Sequence, residues 1–131
     1  MTQEDKQLLF QDLCARLPYK IKASFIDEYD EGNDSYNSFV EAVDLDGFVT
    51  NFDGTQYPIE QVRPYLFPLS SLTVKQKVEL YNLRILIEDG FQDTLCEIDF
   101  YNKNHFDYRG LIPKDLAIDA TNLNIKLGEK L

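Results

Sequence analysis

The chain has 131 residues and a formal net charge of −10, with 23 acidic against 13 basic side chains, 44% hydrophobic residues, two cysteines and no tryptophan. That length suits one hydrophobic core rather than two, the Met1 to Lys6 opening with Glu4 and Asp5 is unlike a secretory leader, and no apolar run approaches the ~20 residues that cross a bilayer. A cytoplasmic protein with no membrane partner is therefore expected, and a field of this sign repels phosphate backbones, which argues against direct nucleic-acid binding.

Thr2 can cap a helix whose first turn carries Glu4 and Asp5, opposite in sign to the helix dipole there. Leu9, Leu13 and Leu17, widened by Leu8 and Phe10, form its apolar stripe, and Pro18 stops it, so a helix is predicted over 3–16. From Tyr19 the period falls to two: Tyr19, Ile21, Ala23 and Phe25 alternate with Lys20, Lys22 and Ser24, as in a strand with one wet face. The acidic segment Asp27 to Ser35 reads as a loop. Phe39, Val43 and Leu45 share a face of a second strand, Asp46-Gly47 makes a hairpin turn, Phe48, Thr50 and Phe52 continue into a third strand, and Asp53-Gly54 repeats the turn. An antiparallel meander over about 19–58 follows.

Three prolines between Pro58 and Leu69 argue against a regular helix or an inner strand there. A 3₁₀ turn and an extended segment are expected, with Ile59, Val62, Leu66 and Leu69 inward. Thr73 and Gln76 form a capping box for a helix over about 74–87 that buries Val74, Val78, Tyr81 and Ile85. Glu88-Asp89-Gly90 ends it, and Thr94 with Glu97 opens another over about 95–104, bearing Leu95, Ile98 and Tyr101. Leu111, Ile112, Leu116, Ala117 and Ile118 gather in a turn and short strand, and Leu123, Ile125 and Leu127 alternate near the end. The fold class is thus α+β: a twisted antiparallel sheet or small partial barrel packed on an N-terminal helix and two later helices.

Few residues carry recognisable chemistry. His105 is the only histidine, so a catalytic triad or a His-containing metal site has to use it. With Asp107 it makes an H-x-D pair, but the end of a predicted helix favours a structural role for it. No glycine pattern binds phosphate, and the Asp27, Asp30, Asp34 loop fails the EF-hand test because Tyr29 and Ser38 fall at ligand positions. Cys14 and Cys96 lack zinc-site spacing and read as buried thiols in a reducing compartment. No cofactor or metal is implied.

Charge is uneven. Residues 1–65 hold thirteen acids and five bases, and the forty positions between Lys22 and Arg63 contain no base at all. Asp27, Glu28, Asp30, Glu31 and Asp34, with Tyr29 and Tyr36 beside them, are the candidate partner-binding residues of an acidic face running to Glu60. A protein with a basic surface is the expected partner, and imitation of DNA is a narrower form of the same idea. The rival readings are a metal-dependent hydrolase using carboxylates with His105 and Asp107, and a component of a phage-like assembly.

Two phrases, Arg63-Pro64-Tyr65-Leu66-Phe67-Pro68-Leu69-Ser70-Ser71-Leu72-Thr73 and His105-Phe106-Asp107-Tyr108-Arg109-Gly110-Leu111-Ile112 with Leu116-Ala117-Ile118-Asp119, resemble a broad family of small uncharacterised bacterial proteins. Its members often occur in phage-derived or mobile regions. The resemblance implies a context and no activity. Phe67 stands where a basic residue is usual, and Asp115 stands where glycine is usual, so a left-handed turn is not demanded there.

Overall fold

The computed structural model describes residues 1–26, 35–86 and 90–121. Helix α1 (Gln3–Arg16) begins at a reciprocal cap: Thr2 Oγ1 accepts the Asp5 amide at 3.0 Å, and the Asp5 carboxylate accepts the Thr2 amide at 3.4 Å. Leu9 and Leu13 are fully buried. A 3₁₀ turn at Leu17–Tyr19 follows, and Lys20 takes a left-handed φ of 57° before β1 (Lys22–Ile26) begins. Tyr19 therefore belongs to the turn and not to the strand.

Ile21, Ala23 and Phe25 are buried as their alternation requires, but the expected wet face is absent, because Lys22 and Ser24 are buried too. The reason is lateral. β1 lies inside the sheet, with Lys22 opposite Phe39 and its ammonium 5.7 Å from that ring, and with Ser24 between Asn37 and Arg63. The lysine stem lies along apolar surface while its charge meets the ring's negative face.

β2 (Ser35–Val43), β3 (Phe48–Asn51) and β4 (Gln56–Pro58) form the antiparallel meander. Its two turns are built alike. Asp44 Oδ1 accepts the amides of Asp46 and Phe48, Asn51 Oδ1 accepts those of Asp53 and Thr55, and Gly47 and Gly54 take φ of 87° and 85°. Only glycine reaches that region without steric cost. A bulge between Val40 and Ala42 changes the face, so Val40 and Val43 both meet the core while Leu45 stands 93% exposed beyond the strand. Adding one residue reverses the alternation, which corrects the expected Phe39, Val43, Leu45 face. On β3 the inward residues are Val49 and Asn51, and Phe48 and Phe52 are exposed.

A 3₁₀ turn at Ile59–Gln61 leads into β5 (Val62–Pro68), which lies inside the sheet despite its prolines. Residues 62–64 pair antiparallel with β1, whereas 65–66 pair parallel with β7 (Ile118–Asp119) and 67–68 with β6 (Phe106–Asp107). Pro64 falls where the partner changes and Pro68 ends the strand, so neither missing amide interrupts a continuous ladder. The sheet is open and mixed, in the order β4-β3-β2-β1-β5-β6 with β7 also on β5. Ile59, Val62 and Leu66 are inward as expected, but Leu69 is 40% exposed.

Helix α2 (Val74–Leu86) starts at the expected box, Thr73 Oγ1 accepting the Gln76 amide at 3.1 Å and Gln76 Oε1 the Thr73 amide at 2.9 Å. Its orientation reverses the expectation. Leu80 is buried and Leu83 half-buried, while Val74, Val78 and Tyr81 are 77%, 52% and 61% exposed; the Ile85 side chain lies outside the described residues. α3 (Gly90–Lys103) begins before Thr94, which is thus interior to the helix. Leu80, Phe100 and Phe106 form a second apolar cluster with Phe67, Leu72, Leu83 and Tyr101, apart from the main core of α1 and the sheet. Asp115 adopts φ 60°, so the left-handed turn exists without glycine; its carbonyl accepts Arg63 Nε at 2.9 Å. The Leu123, Ile125, Leu127 alternation lies outside the described residues.

Candidate functional site

Charge is handled in two places. The first is a buried ionic centre at the end of α1, where Arg16 and Asp12, both with fully buried side chains, pair through two bonds, Nε to Oδ2 at 2.9 Å and Nη2 to Oδ1 at 3.1 Å. Arg16 also donates to the carbonyls of Phe106 at 2.6 Å and Tyr101 at 3.3 Å. Arg109 approaches Asp12 at 3.5 Å and donates to the Tyr108 hydroxyl at 2.7 Å, which donates to Asn102. Both guanidinium groups lie over the Tyr108 ring, at 5.4 Å for Arg16 and 4.6 Å for Arg109. The arrangement ties α1 to α3 and β6. Sequence reasoning missed it, although Asp12 and Arg16 fall on the same helical stripe as Leu9 and Leu13 at i, i+4 spacing.

His105 and Asp107 lie beside this centre, and both are buried. His105 takes a left-handed φ of 62° just past the last residue of α3, and its carbonyl accepts the Phe67 amide at 2.8 Å. Nδ1 has no hydrogen-bond partner among the described residues, and burial first, then the Arg16 charge, lower the imidazole pKa to about 4. Asp107 caps the following turn, with Oδ1 accepting Leu111 N at 2.8 Å and Oδ2 accepting Ile112 N at 2.9 Å. Both carboxylate oxygens are thus engaged by backbone. Among the described residues no group of three or more His, Cys, Asp or Glu has metal-site geometry. Cys14 and Cys96 are half-buried free thiols, less enclosed than expected, and burial raises the Cys14 pKa.

The second place is the double hairpin. Glu41, Asp44, Asp46 and Asp53 are exposed, and none of them pairs with a base among the described residues. Glu60, at the end of the acidic stretch, pairs with Lys6 at 2.9 Å. Between the acids stand apolar side chains: Leu45 at 93% exposure, Phe48 at 41% and Phe52 at 64%. Leu45 and Phe48 line a cleft of about 450 Å³ together with Phe10, Pro58 and Ile59.

Of the residues predicted to bind a partner, Tyr36 is on β2 and 47% exposed; Asp27, Glu28, Tyr29, Asp30, Glu31 and Asp34 lie outside the described residues. Tyr65 is buried and donates to Asn37 Oδ1 at 2.5 Å, and Tyr101 stacks on Tyr108 with centroids 5.7 Å apart. No helix among the described residues is long and apolar enough to cross a membrane. Comparisons with family models, curated proteins and solved structures found no match.

Proposed function

We propose that the chain is a protein-binding or regulatory module that docks on a basic protein surface through its double hairpin. The observation that carries this reading is the alternation of carboxylates that pair with no base among the described residues (Asp44, Asp46, Asp53) with exposed apolar side chains (Leu45, Phe48, Phe52) on two hydrogen-bonded turns. Carboxylates without a counter-charge steer a basic partner and set the salt dependence, while apolar knobs bury area once contact is made. The turns hold both in place, because each is closed by a side-chain oxygen accepting two amides. By contrast, the enclosure of His105 and the two amides on Asp107 favour a structural use of that pair.

The test is capture from lysate on the immobilised chain at low and high salt. Retention at low salt, release by salt, and loss in the variant Asp44→Lys/Asp46→Lys/Asp53→Lys are expected. Leu45→Ala should weaken capture at every salt concentration. Identical sets of proteins on the wild-type and charge-reversed chains would sink the reading.

A further inference from the structure

The outward face of α2 has no covering element among the described residues. At 3.6 residues per turn, Val74, Val78 and Tyr81 lie within about 60° of one another, opposite the buried Leu80 and the half-buried Leu83. Their exposures of 77%, 52% and 61% make a contiguous apolar strip on the solvent side of a helix anchored from behind. Lys75 and Lys77 are exposed and flank the strip, one on each side, with Glu79 beyond Lys75. This is a local positive patch on a molecule of net charge −10.

The first hairpin turn carries the opposite arrangement, because Leu45 projects with 93% exposure between the carboxylates of Asp44 and Asp46, neither of which meets a base among the described residues. An apolar knob flanked by two acids matches an apolar strip flanked by two lysines. We infer that the α2 face receives the Asp44 to Phe48 turn of a second copy of this chain, in a head-to-tail contact. This rests on the reading of the hairpin as a docking element and names one of its partners. The two faces differ, so the contact is heterologous and open-ended, and each added copy leaves one free hairpin and one free helix face. At physiological ionic strength the screening length is about 8 Å, so neighbouring pairs act while the repulsion between whole molecules is damped. The patch is small, which places association at the weak end of specific interfaces.

Sedimentation velocity at physiological salt over a wide concentration series tests this with the full chain and two variants. One variant is Val78→Glu/Tyr81→Glu on the helix, and the other is Asp44→Lys/Leu45→Lys/Asp46→Lys on the turn. All five positions are exposed, and circular dichroism checks that both variants fold. The wild-type average mass should rise with concentration past that of two chains, and each variant alone should stay monomeric. An equimolar mixture should form dimers and nothing larger, since one variant keeps a working turn and the other a working helix. A monomeric wild type, a turn variant that still associates, or a mixture that stays monomeric overturns the inference. The helix variant keeps its hairpin intact, so salt-sensitive capture of other proteins by that variant preserves the docking reading even where self-association fails.

Discussion

The end of α1 and the double hairpin treat charged residues in opposite ways. Asp12 and Arg16 have fully buried side chains, and the guanidinium is spent on one carboxylate and two carbonyls. The hairpin acids are exposed and pair with no base among the described residues, and their neighbours Leu45 and Phe52 are left in water. A buried charge is tolerated only when its hydrogen bonds are satisfied locally, and a satisfied charge has little left to offer a partner. An exposed and unbalanced one does. Stability should therefore respond to the first region and binding to the second.

The largest expected effect comes from breaking the buried pair. Arg16→Met leaves buried Asp12 with only the longer Arg109 contact at 3.5 Å in place of its bidentate partner and should cost about 3–5 kcal/mol, read as a fall in the urea midpoint. Adding Asp12→Leu should recover much of the loss, and a double-mutant cycle with simply additive changes would show that the two residues do not act as a unit.

Acid comes next. The folded His105 pKa is about 4 against an ordinary 6.5, so between these values the unfolded chain binds a proton that the folded chain refuses. The contribution is fully present above pH 6.5 and is lost as pH falls toward 4, on the order of 3 kcal/mol in all. His105→Asn, whose side chain tolerates the left-handed backbone at that position, should flatten this part of the stability curve relative to wild type. Parallel curves for the two proteins would place the acid sensitivity elsewhere.

Smaller changes reach the hairpin. Asn51 is buried and accepts two amides, so Asn51→Ala should cost about 1–3 kcal/mol by orphaning them. Gly54→Ala forces a side chain into φ 85° and should cost about 1–2 kcal/mol. Both are read by thermal unfolding. The smallest stability effect, within about 0.5 kcal/mol, is expected for Asp46→Lys, because that side chain is exposed and pairs with no base among the described residues. The same substitution should weaken salt-dependent capture, which separates the two regions in a single protein.

Local signals account for much of what could be read in advance. The span of α1, both Asp-Gly turns and the Thr73 box depend on residues within four positions of one another, and all three stand in the structure. The errors share a different origin. Val74, Val78 and Tyr81 are as apolar as Leu80 and Leu83, so periodicity identifies a helix with two apolar faces without saying which of them meets Phe100 and Phe106. Pro64 argues against an inner strand only while its pairing is unknown; a change of partner at that residue accommodates it. The acidic face was legible as composition. Its interleaving with exposed Leu45, Phe48 and Phe52 was not, because Leu45 falls in the turn beyond β2 and the buried side of β3 is that of Val49 and Asn51.

By itself, the sequence determined the span of α1, the start of α2, the two Asp-Gly turns, the α+β class and the imbalance of charge, since these follow from near neighbours and from counting. Which face of α2 is buried, that Arg16, paired with Asp12, meets the carbonyls of Tyr101 and Phe106, and that β5 sits between antiparallel and parallel partners were settled by tertiary structure alone. Those outcomes join segments far apart in the chain, and burial is a property of what packs against a residue rather than of the residue itself.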